Sequence, residues 1–187
     1  MAKIIGREKE IQTLAEAMKS ERSEFVAVYG RRRIGKTFLI KEYFNNKFSF
    51  LFVGTRGISK ATQLDNFALA LQRQFAIDFK PALQNWFDAF HLLEDLLTKK
   101  RTKGKRVVFI DEMPWMDSPK SDFVPALELF WNGWANMRDD IVLIACGSAT
   151  SWMVDKVFHN CQSDSHTMWH SYNHGDNIRY GTQQSLS

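Results

Sequence analysis

A chain of 187 residues with 44% apolar and 25% charged side chains is long enough for one domain with a sizeable core, and its composition excludes a disordered polypeptide. No run reaches the roughly 18 consecutive apolar residues of a membrane span, and Met1 to Gly6 lacks the apolar segment of a secretory signal, so the expected compartment is the cytoplasm. The two cysteines, Cys146 and Cys161, form no disulfide framework, and a net charge of +4 permits contact with nucleic acid without requiring it.

In chain order, Gly6 to Ser20 spaces Ile11, Leu14, Ala15 and Met18 three or four apart, which predicts a helix. Phe25 to Tyr29 is a short apolar, β-branched run, as expected of a strand covered on both faces, and Gly30 ends it. Helical spacing resumes from Lys36 through Phe38, Leu39, Ile40 and Tyr43, and Phe48 to Val53 predicts a second strand, followed by a Gly-Thr-Arg-Gly turn. Lys60 to Phe75 and Pro81 to Thr98 predict two helices, with Pro81 suited to a first turn. Val107 to Ile110 predicts a third strand, Phe123 to Met137 a further helix and Ile141 to Ala145 a fourth strand. Strands alternating with helices predict an α/β fold of three layers around a mostly parallel sheet. Beyond Lys156 there is neither Lys nor Glu, and the polar segment 160–187 is expected to be poorly ordered.

The strongest chemical signal is Gly30-Arg31-Arg32-Arg33-Ile34-Gly35-Lys36-Thr37, a full G-x-x-x-x-G-K-[ST] phosphate loop lying where a strand hands over to a helix. Gly30 and Gly35 allow the tight turn that brings a run of N–H groups against phosphate oxygens, at the positive end of the following helix. Lys36 adds a point charge toward the β and γ phosphates, and the Thr37 hydroxyl is the candidate ligand of Mg²⁺. The candidate contacts therefore run from Gly30 through Arg31, Arg32, Arg33 and Ile34 to Phe38, with the three arginine side chains read mainly as solvated.

Val107-Val108-Phe109-Ile110-Asp111-Glu112 is a Walker B pattern, an apolar strand that delivers two carboxylates to the carboxyl edge of the sheet. Asp111 is placed to orient a magnesium shell and Glu112 to polarise the attacking water. Ile141 to Ser148 is a further buried run ending in a hydroxyl, which puts Ser148 or Ser151 either near that water or at the cap of the next helix.

The remaining candidates have plainer readings. Trp131 and Trp134, with Phe130 and Leu127, sit at helical spacing and read as core. Lys99, Lys100, Arg101, Lys103, Lys105 and Arg106 read as a solvated loop, so a basic patch is the one sign of nucleic-acid contact. Cys161, His166, His170 and His174 have ligand-like spacings, but no strand or helix signal frames them as a zinc site.

Together, Gly6-Arg7-Glu8-Lys9-Glu10, the Arg-rich phosphate loop, Phe109-Ile110-Asp111-Glu112 and Gly147-Ser148 resemble the prokaryotic archaeal-type ATPases, in the AAA+/STAND branch of P-loop NTPases, over roughly Ile4 to His159. The resemblance implies ATP binding with Mg²⁺ and hydrolysis, expected to be slow where the family's lid and downstream arginines are missing. It places Ile5, Gly6 and Arg7 near the adenine; Gly35, Lys36 and Thr37 on phosphate and Mg²⁺; Asp111 and Glu112 as the acids; and Ser148 as a sensor. It leaves a protein partner or a second copy of the chain open. Members of that family continue into a fifth strand, a helical lid and a winged-helix module, none of which is legible after His159, so the expectation is an incomplete ATPase domain over 1–159, from a truncated or frame-shifted product, with a polar tail. Arg138, which precedes the fourth strand, is expected at the opposite edge of the sheet, unable to act as a finger arginine.

Overall fold

The computed structural model describes residues 7–100, 102–158 and 168–172. Helix α1 (Glu8–Lys19) leads into β1 (Glu24–Gly30), α2 (Lys36–Tyr43), β2 (Phe50–Val53), α3 (Lys60–Phe75), α4 (Trp86–Lys99), β3 (Arg106–Asp111), α5 (Phe123–Gly133), β4 (Ile141–Gly147) and β5 (Met168–Tyr172). The strands form one sheet in the order β2-β3-β4-β1-β5, and every neighbouring pair is parallel.

Alternate residues of the central strands enter two separate cores, which is what a sheet buried on both faces requires. Phe25, Ala27, Val108, Ile110, Leu143 and Ala145 pack with α3, α4 and α5, whereas Val26, Val28, Val107, Phe109, Val142 and Ile144 pack with α1 and α2. The first core is unusually aromatic. Phe67 of α3 lies 5.0 Å from Phe50, 4.9 Å from Phe52 and 5.5 Å from Trp86 by ring centroids, all near edge-to-face. Each fully buried ring of this kind contributes about 1.5–3 kcal/mol of apolar burial. Phe130 and Trp131 are buried there with Leu127, and Trp134 packs against them, as core positions should.

Several boundaries differ from the sequence expectation for local reasons. Pro81 lies outside α4, which starts five residues later because Asn85 caps it: the Asn85 side chain accepts from the Asp88 amide at 2.9 Å, and the Asp88 carboxylate accepts from the Gln84 amide at 3.2 Å. A cap of this type is worth about 1 kcal/mol, enough to fix a helix start. α5 stops at Gly133, a poor helix former, and the chain continues as a 3₁₀ turn over Ala135–Met137. Within the tail expected to be poorly ordered, Met168–Tyr172 forms a fifth strand whose residues pair with Val26–Gly30 of β1. That corrects the expectation that no fifth strand follows His159; Met-Trp-His-Ser-Tyr is a short run inside a polar segment, without a regular apolar alternation by which to recognise it.

The second basic cluster is only partly a solvated loop. Arg106 is buried and donates to the Leu97 carbonyl at 3.0 Å, the Lys100 carbonyl at 2.9 Å and the Asp140 carboxylate, while the Lys105 ammonium bonds the Asp139 carbonyl at 2.6 Å and the Arg22 carbonyl. Arg138 also pairs with Asp140, at 2.8 Å, and so lies at the amino end of β4, away from the phosphate loop. At the β2 edge, the Gln74 side chain of α3 bonds both backbone groups of Leu51, accepting from its N–H at 2.8 Å and donating to its carbonyl at 2.7 Å.

Candidate functional site

The carboxyl ends of β1, β3 and β4 converge on one rim of the sheet. β1 ends at Gly30 with φ of 138°, the loop passes through Arg33 at φ of 65°, and Gly35 at φ of 82° opens α2 without a side-chain cap. The left-handed conformation at Gly35 is one a residue with a Cβ adopts only at a cost of about 1–2 kcal/mol. No side chain among the described residues caps α2, and its first-turn amides stand at the positive end of the helix.

Lys36 is buried beneath this loop, its ammonium donating to the carbonyls of Gly30 at 3.0 Å and Arg31 at 2.8 Å. Thr37 donates its hydroxyl to Asp111 Oδ2 at 2.7 Å, joining α2 to the end of β3. The Asp111 carboxylate is buried, and its Oδ1 accepts the Glu112 amide at 2.8 Å. In β4, burial, followed by the charge of Asp111 and a hydrogen bond to its side chain, pushes the Cys146 thiol well above its ordinary pKa.

Glu112 takes a left-handed conformation (φ 51°, ψ 40°) and starts a 3₁₀ turn, Met113–Trp115. Residues three apart eclipse in such a turn, so Trp115 returns over Glu112 and donates its indole N–H to Oε2 at 3.1 Å. Ser148, just past β4, donates to the same oxygen at 3.4 Å and accepts from Arg32 Nε at 3.2 Å. Close backbone approaches lock this corner: a Cβ on Gly54 would meet the Glu112 carbonyl oxygen at 2.6 Å, and one on Gly147 would meet Pro114 Cδ and Met153 Sδ at 2.9 Å.

The structure thus brings Gly30, Gly35, Lys36, Thr37, Asp111, Glu112 and Ser148 together as the sequence suggests. Arg7 joins them by donating to the Ile34 carbonyl at 2.7 Å, whereas Ile5 and Gly6 lie outside the described residues. Arg31, Arg33 and Phe38 are exposed, and so is Ser151, on the helical turn after Ser148. Cys161, His166 and His174 also fall outside the described residues, and among those that are described no group of three or more His, Cys, Asp or Glu could hold a metal ion. No helix among the described residues is long and apolar enough to cross a membrane.

Three residues make contacts at this rim that were not legible in the sequence. The guanidinium groups of Arg32 and Arg56 lie 5.2 and 5.1 Å from the centroid of the Trp115 ring. Gln63 of α3, fully buried, donates to the carbonyls of Thr55 at 2.6 Å and Trp115 at 3.0 Å and accepts from the Thr55 amide at 3.2 Å. The sole sequence signal for Trp115 is its position three residues after the second acid.

A parallel sheet with helices on both faces, a glycine-bounded loop between β1 and α2, and paired acids at the end of β3 define a P-loop NTPase fold. Within that class the chain belongs to the family of ATPase domains found predominantly in Archaea, which it matches over residues 4–175, and family membership makes it a nucleotide-binding domain. It is 28% identical over 158 residues to an uncharacterised protein of Methanocaldococcus jannaschii, covering 82% of this chain and 31% of that protein. Over 43 residues it is 37% identical to an uncharacterised ATP-binding protein of the same archaeon, covering 23% of this chain and 73% of the relative. The fold is shared with the Walker-type ATPase of Pyrococcus abyssi, at a TM-score of 0.56 and 21% identity over 83% of this chain and 48% of that one. It is shared also with Cdc6p of Pyrobaculum aerophilum, at 0.60 and 13% over 86% and 44%. The chain therefore spans about a third of the first relative and somewhat under half of these two structures.

Proposed function

We propose that this domain binds Mg·ATP and hydrolyses it slowly. The reading rests on the 2.7 Å bond between Thr37 and Asp111, which joins the phosphate loop to the paired acids at one point. Loop amides and Lys36 hold the phosphates, with Arg7 bracing the loop through Ile34. Thr37 and Asp111 offer the hard oxygen donors that Mg²⁺ takes, and the ion, when bound, would offset charge on the β and γ oxygens. Glu112 accepts a proton from the attacking water, and Ser148 reads the terminal phosphate from the end of β4. Adenine as the base rests on the family likeness, and the cytoplasm as the compartment is part of the same proposal.

A second reading, a nucleotide-dependent interaction module without turnover, draws on Arg138. That residue is tied to Asp140 at the far end of β4, and a finger arginine is worth about 10³- to 10⁵-fold in turnover. Nucleic-acid binding is supported less, since Lys105 and Arg106 are engaged internally. Calorimetric titration of Mg·ATP and Mg·GTP, with phosphate release by the wild type, Lys36→Ala and Glu112→Gln, tests the proposal. Heat with ATP, release lost in Lys36→Ala and release reduced but still measurable in Glu112→Gln are expected; binding without release favours the interaction module, and no heat with either triphosphate refutes both. Salt-dependent DNA binding that persists in Lys36→Ala would favour a nucleic-acid role.

A further inference from the structure

We propose that Trp115 is a positioning residue that holds the Glu112 carboxylate for its work on water, a role that rests on the hydrolytic reading of the site. The indole N–H and the Ser148 hydroxyl both address Oε2 of Glu112, at 3.1 and 3.4 Å, which reserves Oε1 for the water proton. A carboxylate in a left-handed turn at the rim of a sheet has several rotamers open to it, and two donors on one oxygen select one of them.

The indole is itself held from three sides. Its backbone carbonyl is fixed by the buried amide of Gln63, and its ring carries the guanidinium groups of Arg32 and Arg56 at 5.2 and 5.1 Å. Arg32 belongs to the phosphate loop and also bonds Ser148, so loop, indole and hydroxyl form one connected support around a single carboxylate. A tryptophan placed only to fill space would not need its N–H directed at an acid or two cations against its face. The buried Trp86 and Trp131 of the aromatic core, whose indole nitrogens find no hydrogen-bond partner among the described residues, show that alternative in the same molecule.

The experiment is a double-mutant cycle on Mg·ATP hydrolysis with Trp115→Phe and Glu112→Gln. Phenylalanine keeps a ring for the two arginines and deletes the N–H. The expected result is a fall in kcat of about 10- to 100-fold, the worth of a hydrogen bond to a charged group, with KM within about twofold, and no further fall in the Glu112→Gln background. Unchanged kcat in Trp115→Phe, or the same fold loss with and without Glu112, overturns the proposal. Should the wild type release no more phosphate than Lys36→Ala, the hydrolytic reading fails separately, and the contact is then decided without turnover. In protein grown with 5-fluorotryptophan, the fluorine resonance missing from Trp115→Phe is that of Trp115. A shift of that resonance in Glu112→Ala supports the hold on the carboxylate, and an unmoved resonance refutes it.

Discussion

Gly54 follows β2 and carries no side chain for a reason that can be measured. A methyl group there would sit 2.6 Å from the Glu112 carbonyl oxygen and 3.2 Å from Met116 Cγ, where ordinary contact begins at 3.4 Å. The nearer atom is backbone, and the Gly54 amide is bound to the Asp111 carbonyl at 2.9 Å, so neither side yields without moving the segment that carries both acids. Gly54→Ala is therefore expected to cost about 2–3 kcal/mol, the upper part of the range for overpacking. The displacement needed is comparable to the misplacement of about 1 Å that lowers turnover by about 10²-fold, so kcat should fall by that order while the affinity for Mg·ATP, set mainly by the phosphate loop, changes little. Urea unfolding and steady-state hydrolysis read the two effects. Gly104→Ala is the control: Gly104 has φ of 81° and a methyl group there would meet nothing among the described residues within 4 Å, so it should lose about 1 kcal/mol from backbone strain and keep its turnover. Wild-type stability and wild-type kcat in Gly54→Ala would refute the reasoning.

Lys36→Ala should weaken Mg·ATP by about 30- to 150-fold in calorimetry, the worth of a charge-assisted bond to phosphate. Asp140→Ala leaves buried Arg106 without its carboxylate. Burial, then the charge of Arg138, already lowers the Arg106 pKa, and the loss should be about 2–3 kcal/mol by urea unfolding, against about 1 kcal/mol or less for the more exposed Arg138→Ala. Phe67→Ala empties the centre of the aromatic core and should cost about 3–5 kcal/mol by the same assay, with unfolding at ambient temperature as the extreme outcome. In a Cys161→Ser background, Cys146 should resist iodoacetamide at neutral pH until urea unfolds the chain. Burial raises its pKa, and the neutral thiol is a poor nucleophile, so rapid alkylation of the native protein would contradict its placement in β4.

Much of this site was legible because its chemistry fixes residue type at fixed spacing. Lys36, Thr37, Asp111 and Glu112 could be named from a loop motif and a strand ending in acids, and the four strands β1 to β4 announced themselves as apolar runs. What escaped depends on contacts between distant segments or on residues with no periodic signature. Gln63 reads as one polar residue on a helix until its amide is found bridging two loops. Arg106 reads as one more loop cation, because nothing local shows that Asp140 and two carbonyls wait for it. Trp115 is separated from the aromatic helix that follows and gives no period to count. β5 is recognisable only by its partner, since Met168–Tyr172 is recruited by the edge of β1 rather than by its own sequence.

The amide of Gln74 has a bearing on how this molecule behaves among its own copies. β2 is a boundary strand, and an open boundary invites a foreign strand to continue the ladder. By presenting one donor and one acceptor to Leu51, a glutamine side chain imitates the peptide group an intruder would bring. The seat is taken from within, by a single side chain, and self-association along that margin loses its first foothold.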